Sequence, residues 1–489
     1  MNARKFLAGI VLACAVAVPS LAQAVNIQTL SVGRQSEVWF VQDRTVPMIA
    51  MTVALPAGSA YDPANKAGLA TFAAALIDEG AGPYNSQGFQ AALSGRAIRL
   101  NATAERDYLV ISLVTLKENA PAAFRLLGIA LSKPHFDADA IARVRAQILA
   151  GLQQEDEDPS NVAAKAFYRT FFGNHPYGHS VSGDAGSVAS ITREDLKAFA
   201  AQHWVRGGIH IAVSGDVDVA TLKSLLGAAF SQIPDRAPPP EPFVTHMGQP
   251  GVQIIPMPVP QPNIVFGMPG ILRNDKDFLP AYVANYILGG GGFSSRLTTE
   301  VREKRGLTYD ISTGLNTFHR AGMVAGQVAT KAGSVQQTIA VIKSTIDDFV
   351  TNGPTDKELT DAKTYLTGSF PLAFSSNTGI AGQLNTFQNA GLPVSYVAKR
   401  NDLINAVTAD DVRRAAKRIF NSGKLTIVVA GSPQAAQRSK PLPGAEKPTK
   451  PAPQPTVAAK KTPAASPKAA ATKSVVAPSP SAPKTTPHH

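Results

Sequence analysis

Cysteine is almost absent, since Cys14 is the only one in 489 residues. It lies in a leader-like segment. Arg4 and Lys5 precede an apolar run, residues 6–18, and Leu21-Ala22-Gln23-Ala24 offers a small-x-small cleavage site. Residues 1–24 are therefore expected to be a secretory signal peptide cut after Ala24. A chain cut there keeps no thiol, which excludes disulfides, cysteine metal ligands and cysteine nucleophiles. A competing reading makes Val11-Leu12-Ala13-Cys14 a lipoprotein box with Cys14 lipidated, but leucine before the small residue is atypical there. Long apolar runs are missing too, and residues 6–18 are too short for a permanent span, so no transmembrane segment is expected. The export signal makes the periplasm the expected compartment. Also missing are G-x-S-x-G, a Walker loop and a dinucleotide fingerprint, with the chemistries they carry.

Large apolar residues are scarce from 433 to 489, where Pro, Ala, Lys, Ser and Thr dominate. Such a stretch cannot bury enough surface to offset ordering entropy and reads as a disordered tail. It also changes what the charge means. Of 47 basic and 35 acidic residues, the leader takes two basic, and the tail takes nine basic and one acidic. The body between them carries a formal +2, while the whole chain carries +12. The high pI thus belongs to the tail, and no aromatic-interleaved basic patch elsewhere suggests a nucleic-acid partner.

The body repeats itself once. Thr192-Arg193-Glu194-Asp195-Leu196 leads through a helix into Ile209-His210-Ile211-Ala212-Val213-Ser214-Gly215. Thr408-Ala409-Asp410-Asp411-Val412 leads likewise into Leu425-Thr426-Ile427-Val428-Val429-Ala430-Gly431, offset by 216 residues. Each copy is a threonine-capped helix followed by a buried strand ending in glycine. Apolar strands at 47–55 and 262–268, each followed by an acidic loop and an alanine-rich helix, match as well. Asp235 to Pro242 is proline-rich. The expected domains are 25–234 and 244–432, joined by a linker at 235–243. Strands and helices alternate irregularly, with hairpin-like pairs such as 307–317 and 321–330, which favours α+β layers.

Two helical runs, 279–288 and 294–304, flank Gly289-Gly290-Gly291-Gly292-Phe293-Ser294. Gly306 stops the second, and Tyr309 falls on the strand-like run 307–317. Arg302 and Tyr309 would then offer two hydrogen-bonding tips from different elements. Spacing alone also fits a flexible loop and a surface arginine. In the first half, a helix over 64–79 buries Leu69, Phe72, Ala73, Leu76 and Ile77, with Thr71, Ala74, Ala75 and Asp78 on the adjacent stripe. A second helix, near 137–152, buries Ile141, Val144, Ile148 and Leu152, with Gln147 beside that face.

From Val25 to Gly431 the chain resembles the insulinase/pitrilysin zinc peptidases, which include mitochondrial processing peptidase. The resemblance implies two homologous halves of the LuxS/MPP-like metallohydrolase type, each an antiparallel-rich sheet covered by helices. Family members carry H-x-x-E-H after a G-L-A-like lead-in, the histidines binding zinc and the glutamate acting as base, with a later glutamate as third ligand. Aligning Gly68-Leu69-Ala70 with that lead-in puts Thr71 and Ala75 at the histidines, Ala74 at the base and Gln147 at the third ligand. Methyl groups and one hydroxyl cannot replace imidazoles, so this chain is expected to hold no metal. Arg302-Glu303-Lys304-Arg305-Gly306-Leu307-Thr308-Tyr309 does match the family's R-x6-Y pair behind a glycine-rich loop. The resemblance gives Arg302 and Tyr309 the task of binding substrate at a partner's zinc. Gly290, Gly291, Gly292, Phe293 and Ser294 are expected to line the peptide path.

His175-Pro176-Tyr177-Gly178-His179 contains proline and glycine, so its histidines form a turn and not a ligand helix. His203 and His210 read as packing or surface residues, and Glu155 to Asp158 as a solvated helix end. The chain therefore reads as the non-catalytic, substrate-binding subunit of a heteromeric peptidase, dimeric or larger. Its expected partner is a homologous H-x-x-E-H subunit carrying the zinc, and its ligands are peptides. The alternatives are a structural or scaffolding protein and a peptide-binding protein that acts alone.

Overall fold

In a computed structural model, the structure describes residues 26–31 and 36–432. The expected signal peptide and tail lie outside the described residues. The first half runs β1 (Ile27–Ser31), β2 (Glu37–Gln42), β3 (Met48–Leu55), a short pair β4 (Gly80–Ala81) and β5 (Tyr84–Asn85), then β6 (Arg99–Ala104), β7 (Leu109–Leu116) and β8 (His210–Gly215). Its main sheet has the order β1-β2-β8-β3-β7-β6. The second half contributes β9 (Gly251–Ile255), β10 (Asn263–Pro269), β11 (Ile311–Thr317), β12 (Gly322–Ala329) and β13 (Thr426–Ala430), ordered β9-β13-β10-β12-β11. Strand for strand, the second sheet repeats the first without β1. Each has one parallel pair in the same place, β2 with β8 and β9 with β13, and is otherwise antiparallel. The duplication read from the sequence is thus a duplication of topology.

Local chemistry explains the repeated corner. Thr192 and Thr408 each close a capping box, with Asp195 and Asp411 returning the bond to the cap N–H. The strands that follow end at Gly215 (φ +151°) and Gly431 (φ +139°). A Cβ would stand 2.3 Å from the Met48 carbonyl oxygen at Gly215 and 2.6 Å from the Pro262 Cβ at Gly431. Both glycines let one strand turn off tightly against its neighbour.

The halves exchange helices. Pro159–Phe172 of the first half packs on β10 and β13, and Asn377–Asn389 of the second packs on β3 and β8. Their positions differ by nearly the repeat offset, so the exchange is reciprocal. Phe167, Phe171 and Phe172 are buried with Val265, Met323 and Val428. On the other side Ile380, Leu384 and Phe387 are buried with Trp39, Val41 and Ala212. Burying one such side chain contributes about 1.5–3 kcal/mol, so each half supplies a lid that the other's sheet requires.

The helix expected over 64–79 is shorter, Leu69–Ala75. Asp62 accepts from the Gly68 and Ala70 N–H groups at 2.8 Å each, starting the helix late. After Ala75 the bonds tighten to Leu76 N–H on Ala73 and Ile77 N–H on Ala74, ending it early. The helix expected near 137–152 extends over Ala138–Glu157. Its acidic end is solvated, and Asp158 caps the next helix by accepting from Ser160 and Asn161.

Candidate functional site

On the first-half helix, Gly68 has φ +93° and a Cβ there would meet the Ser182 carbonyl at 2.7 Å, so glycine is required. Burial pushes the Asp62 carboxyl up to about 7, against the opposing bonds from Ala70 and Gly68. The predicted stripe is buried as expected at Leu69, Phe72, Ala73, Leu76 and Ile77. Thr71 donates its hydroxyl to the Val181 carbonyl at 2.6 Å and is engaged there. Ala74 is buried and Ala75 exposed. Gln147 is exposed on Ala138–Glu157, whose buried face presents Ile141, Val144 and Leu152. No group of three or more His, Cys, Asp or Glu among the described residues could hold a metal ion. The donor set does not fit zinc, and no carboxylate stands at position 74 to activate water.

The His175–His179 segment is a turn built around Pro176–Gly178, with His175 Nδ1 accepting from the Tyr177 N–H at 3.1 Å. His203 is buried between the Tyr61 and Phe199 rings. His210 bonds Asn389 at 2.8 Å across the two halves.

The glycine stretch has more structure than a flexible loop. Helix Phe278–Asn285 widens into a π-turn, Tyr286–Gly290, closed by the Gly291 N–H on the Tyr286 carbonyl at 2.8 Å. The glycines face their own protein. A Cβ at Gly289 would lie 2.4 Å from Thr313 Oγ1, one at Gly290 2.9 Å from Asn285 Nδ2, and one at Gly291 2.8 Å from the Tyr286 carbonyl. Gly292 alone is open, with φ +58°. Buried Asn285 and Thr313 lock this contact, Thr313 Oγ1 donating to Asn285 Oδ1 at 2.9 Å and Asn285 Nδ2 to the Thr313 carbonyl at 3.2 Å.

The expected helix over 294–304 starts later, after a turn at Gly292–Ser294 and an extended Ser295, and most of it, Thr298–Glu303, is wound as a second π-segment. Ser294 Oγ bonds the Gly291 carbonyl at 2.9 Å and Ser295 Oγ the Gly292 carbonyl at 2.8 Å, so the serines hold the turn. Lys304 N–H on the Thr299 carbonyl closes the second π-turn. Such single turns interrupt ordinary helix spacing and recur at functional sites.

Four cations stand on this segment, and three are spoken for. Arg296 forks onto Glu358 and also reaches Asp348, while Lys304 and Arg305 share Glu300. Arg302 makes no ion pair among the described residues; its guanidinium lies over the Phe293 ring, 4.5 Å from the centroid. Phe293 is 71% exposed. Gly306 (φ +61°) ends the segment with its N–H on the Arg302 carbonyl at 2.8 Å. Tyr309 is not on the strand, because β11 begins at Ile311. Thr308 Oγ1 bonds the Asp310 carbonyl instead, forming a turn whose tip, Tyr309, is 84% exposed. Arg302 and Tyr309 line one cavity of 530 Å³ with Gln327 and Lys331. The arrangement can donate from a pinned guanidinium and a free phenol to a carbonyl or oxyanion.

A second polar cluster has no local signal in the sequence, since its members lie far apart along the chain. Tyr177 Oη donates to Asp107, whose other oxygen accepts from the His319 N–H at 2.9 Å. Glu241 takes His319 Nδ1 at 2.7 Å, Tyr61 Oη at 3.1 Å and Arg320 Nε at 3.2 Å. Burial raises the Asp107 carboxyl. Burial opposes ionisation at Glu241, but the bonds from His319 and Tyr61 and the charge of Arg320 hold it below its ordinary value. The hydrogen bond to Glu241 raises His319. This cluster ties a first-half turn and the connecting segment to the β11–β12 turn.

Two α+β halves of matching topology, each lending a helix to the other's sheet, define the class of fold. Residues 38–185 match the family described as Insulinase (Peptidase family M16), and residues 190–366 match Peptidase M16 inactive domain. The crystal structure of a peptidase M16 inactive domain from Pseudomonas fluorescens superposes with a TM-score of 0.79 at 31% identity, over 83% of this chain and 98% of that one. A non-peptidase homolog, YmxG, of Helicobacter pylori is 27% identical over 397 residues, 80% of this chain and 91% of the relative. An uncharacterized zinc protease of Streptomyces coelicolor is 24% identical over 352 residues, 71% and 76% of the two chains. The chain belongs to the insulinase family, peptidase family M16.

Proposed function

We propose that this chain is the zinc-free, substrate-binding subunit of a heteromeric insulinase-like peptidase, exported to the periplasm. A homologous H-x-x-E-H subunit supplies the zinc and the base. This chain supplies part of the chamber wall, with Arg302 and Tyr309 directed at the peptide backbone near the scissile bond. The observation that carries this reading is a contrast within one molecule. Thr71, Ala74 and Ala75 offer no imidazole or carboxylate where the family motif would place them. Arg302, by contrast, lies over Phe293 and lines one cavity with Tyr309, its guanidinium and the Tyr309 phenol bonding no other side chain among the described residues. Gly289, Gly290 and Gly291 support the pair by seating the turn on Thr313 and Asn285, and Gly292 through Ser294 are the part of the turn open to a peptide. A protein that only scaffolds has no use for an exposed arginine–phenylalanine stack beside a free tyrosine.

The test is purification of the tagged chain from its native cell. The expected result is a co-purifying H-x-x-E-H homologue carrying one zinc, with peptidase activity in the complex and neither zinc nor activity in the isolated chain. A chain that purifies alone under mild conditions and leaves the homologue's activity unchanged on mixing overturns the proposal.

A further inference from the structure

A cavity of 1240 Å³ opens between the two halves; Val181, whose carbonyl takes the Thr71 hydroxyl, lines it, while Arg302 and Tyr309 line a different cavity. The turns joining β6 to β7 and β11 to β12, equivalent in the repeat, both line it, the first with Arg106 and the second with Arg320. Arg273, which follows β10, lines it as well. Arg320 is neutralised by Glu241. Arg106 and Arg273 enter no ion pair among the described residues. Each is fixed by aromatic faces: Arg106 lies 3.8 Å from the Tyr168 centroid, and Arg273 lies 4.0 Å from that of Phe278 and 5.1 Å from that of Tyr396. Within the protein, Arg106 donates to the His179 carbonyl at 3.1 Å.

Ring stacking orients a guanidinium while leaving its in-plane N–H groups free, and that planar fork matches a carboxylate. Burial works against the charge of both arginines, a cost that an anion between them offsets. Gln383, half-buried on Asn377–Asn389, lines the same cavity, makes no side-chain hydrogen bond among the described residues, and can serve a peptide backbone. The volume exceeds the roughly 300–1,000 Å³ of small-molecule sites and suits several residues of extended chain. We propose that this cleft binds an acidic peptide segment, its carboxylates held by Arg106 from one half and Arg273 from the other. Glu105 and Asp107 line the cavity too, next to Arg106 in the chain, and oppose an anion there, although Asp107 is already engaged by Tyr177 and the His319 N–H. The site needs no partner subunit, so it stands or falls separately from the role of Arg302.

The test is calorimetry on the full chain at low salt with an acetylated, amidated hexaglutamate, the matching hexaglutamine, and inorganic phosphate. Every variant keeps the lysine-rich residues 433–489, so differences between variants report the cleft. The expected result is saturable 1:1 binding of hexaglutamate only, weakened tenfold or more by Arg273→Gln and by Arg106→Lys, and tightened by Glu105→Gln. Arg273→Gln keeps the test decisive if the Arg106 variant melts early. Equal binding of hexaglutamine, an unchanged constant in Arg273→Gln, or phosphate displacing the peptide at comparable concentration each overturns the proposal.

Discussion

Arg302 lies over the ring of Phe293 with 4.5 Å between guanidinium carbon and ring centroid, and no carboxylate among the described residues pairs with it. Phe293 belongs to the glycine turn and Arg302 to the π-segment after it, so the stack joins the two parts of the site. A cation on an exposed aromatic face gains about 0.5–1 kcal/mol, enough to orient the arginine without committing its N–H groups. In the assembled peptidase, Phe293→Ala is expected to lower kcat/KM about two- to fivefold, the kinetic equivalent of that energy. Phe293→Leu keeps bulk and loses the π face, and it should lose as much. Full activity in Phe293→Leu would show that the ring only packs.

A second expectation concerns pH. Burial raises the Asp62 carboxyl to about 7 in the folded chain, above an unfolded value near 3.8. Between those values the folded state binds the extra proton, so this group's contribution to stability is full below about pH 4. It is lost as pH rises through about 7. At 1.36 kcal/mol per unit the loss is on the order of 4 kcal/mol. Buried His203, lowered to about 4, acts oppositely over pH 4–6.5, so total stability is not the readout. The quantity to measure is wild-type stability minus that of Asp62→Asn, from urea melts at pH 4.5, 6 and 7.5. It should fall steadily with pH, and a flat difference would refute the buried-proton account.

The exchanged helices imply that the two halves unfold together. Phe167 is fully buried against the sheet of the other half. Phe167→Ala should cost about 3–5 kcal/mol. Because it removes a lid from the second sheet while altering the first half's sequence, both halves should lose stability in one transition. Two resolved transitions in the variant, with only one shifted, would contradict the interlock.

The repeat was legible because it rests on local signals. Thr192 and Thr408 announce their helices, and Gly215 and Gly431 end the strands that follow, at one fixed offset. The helix carrying Thr71, Ala74 and Ala75 was legible for the same reason, since its buried stripe is a local pattern. Its length was not, because Asp62 starts it from outside the helix and no periodicity records that. Tyr309 was expected on a strand, but Thr308 bonding the Asp310 carbonyl turns the chain before β11 begins. The glycine run was read as a path for peptide, yet three of its glycines are required by Thr313, Asn285 and Tyr286 of the protein itself. The helix exchange and the Asp107–His319–Glu241 cluster join residues far apart in the chain, and no spacing rule reaches that far.

The central claim is that Arg302 and Tyr309 act on a peptide held at another subunit's zinc, and steady-state kinetics of the reconstituted complex tests it most directly. Arg302→Ala and Tyr309→Phe should each assemble with the partner normally and retain its zinc. Each should lower kcat on the order of 100-fold, the scale for removing one preorganised donor from a developing oxyanion. Complexes of either variant that turn over at the wild-type rate would contradict the account.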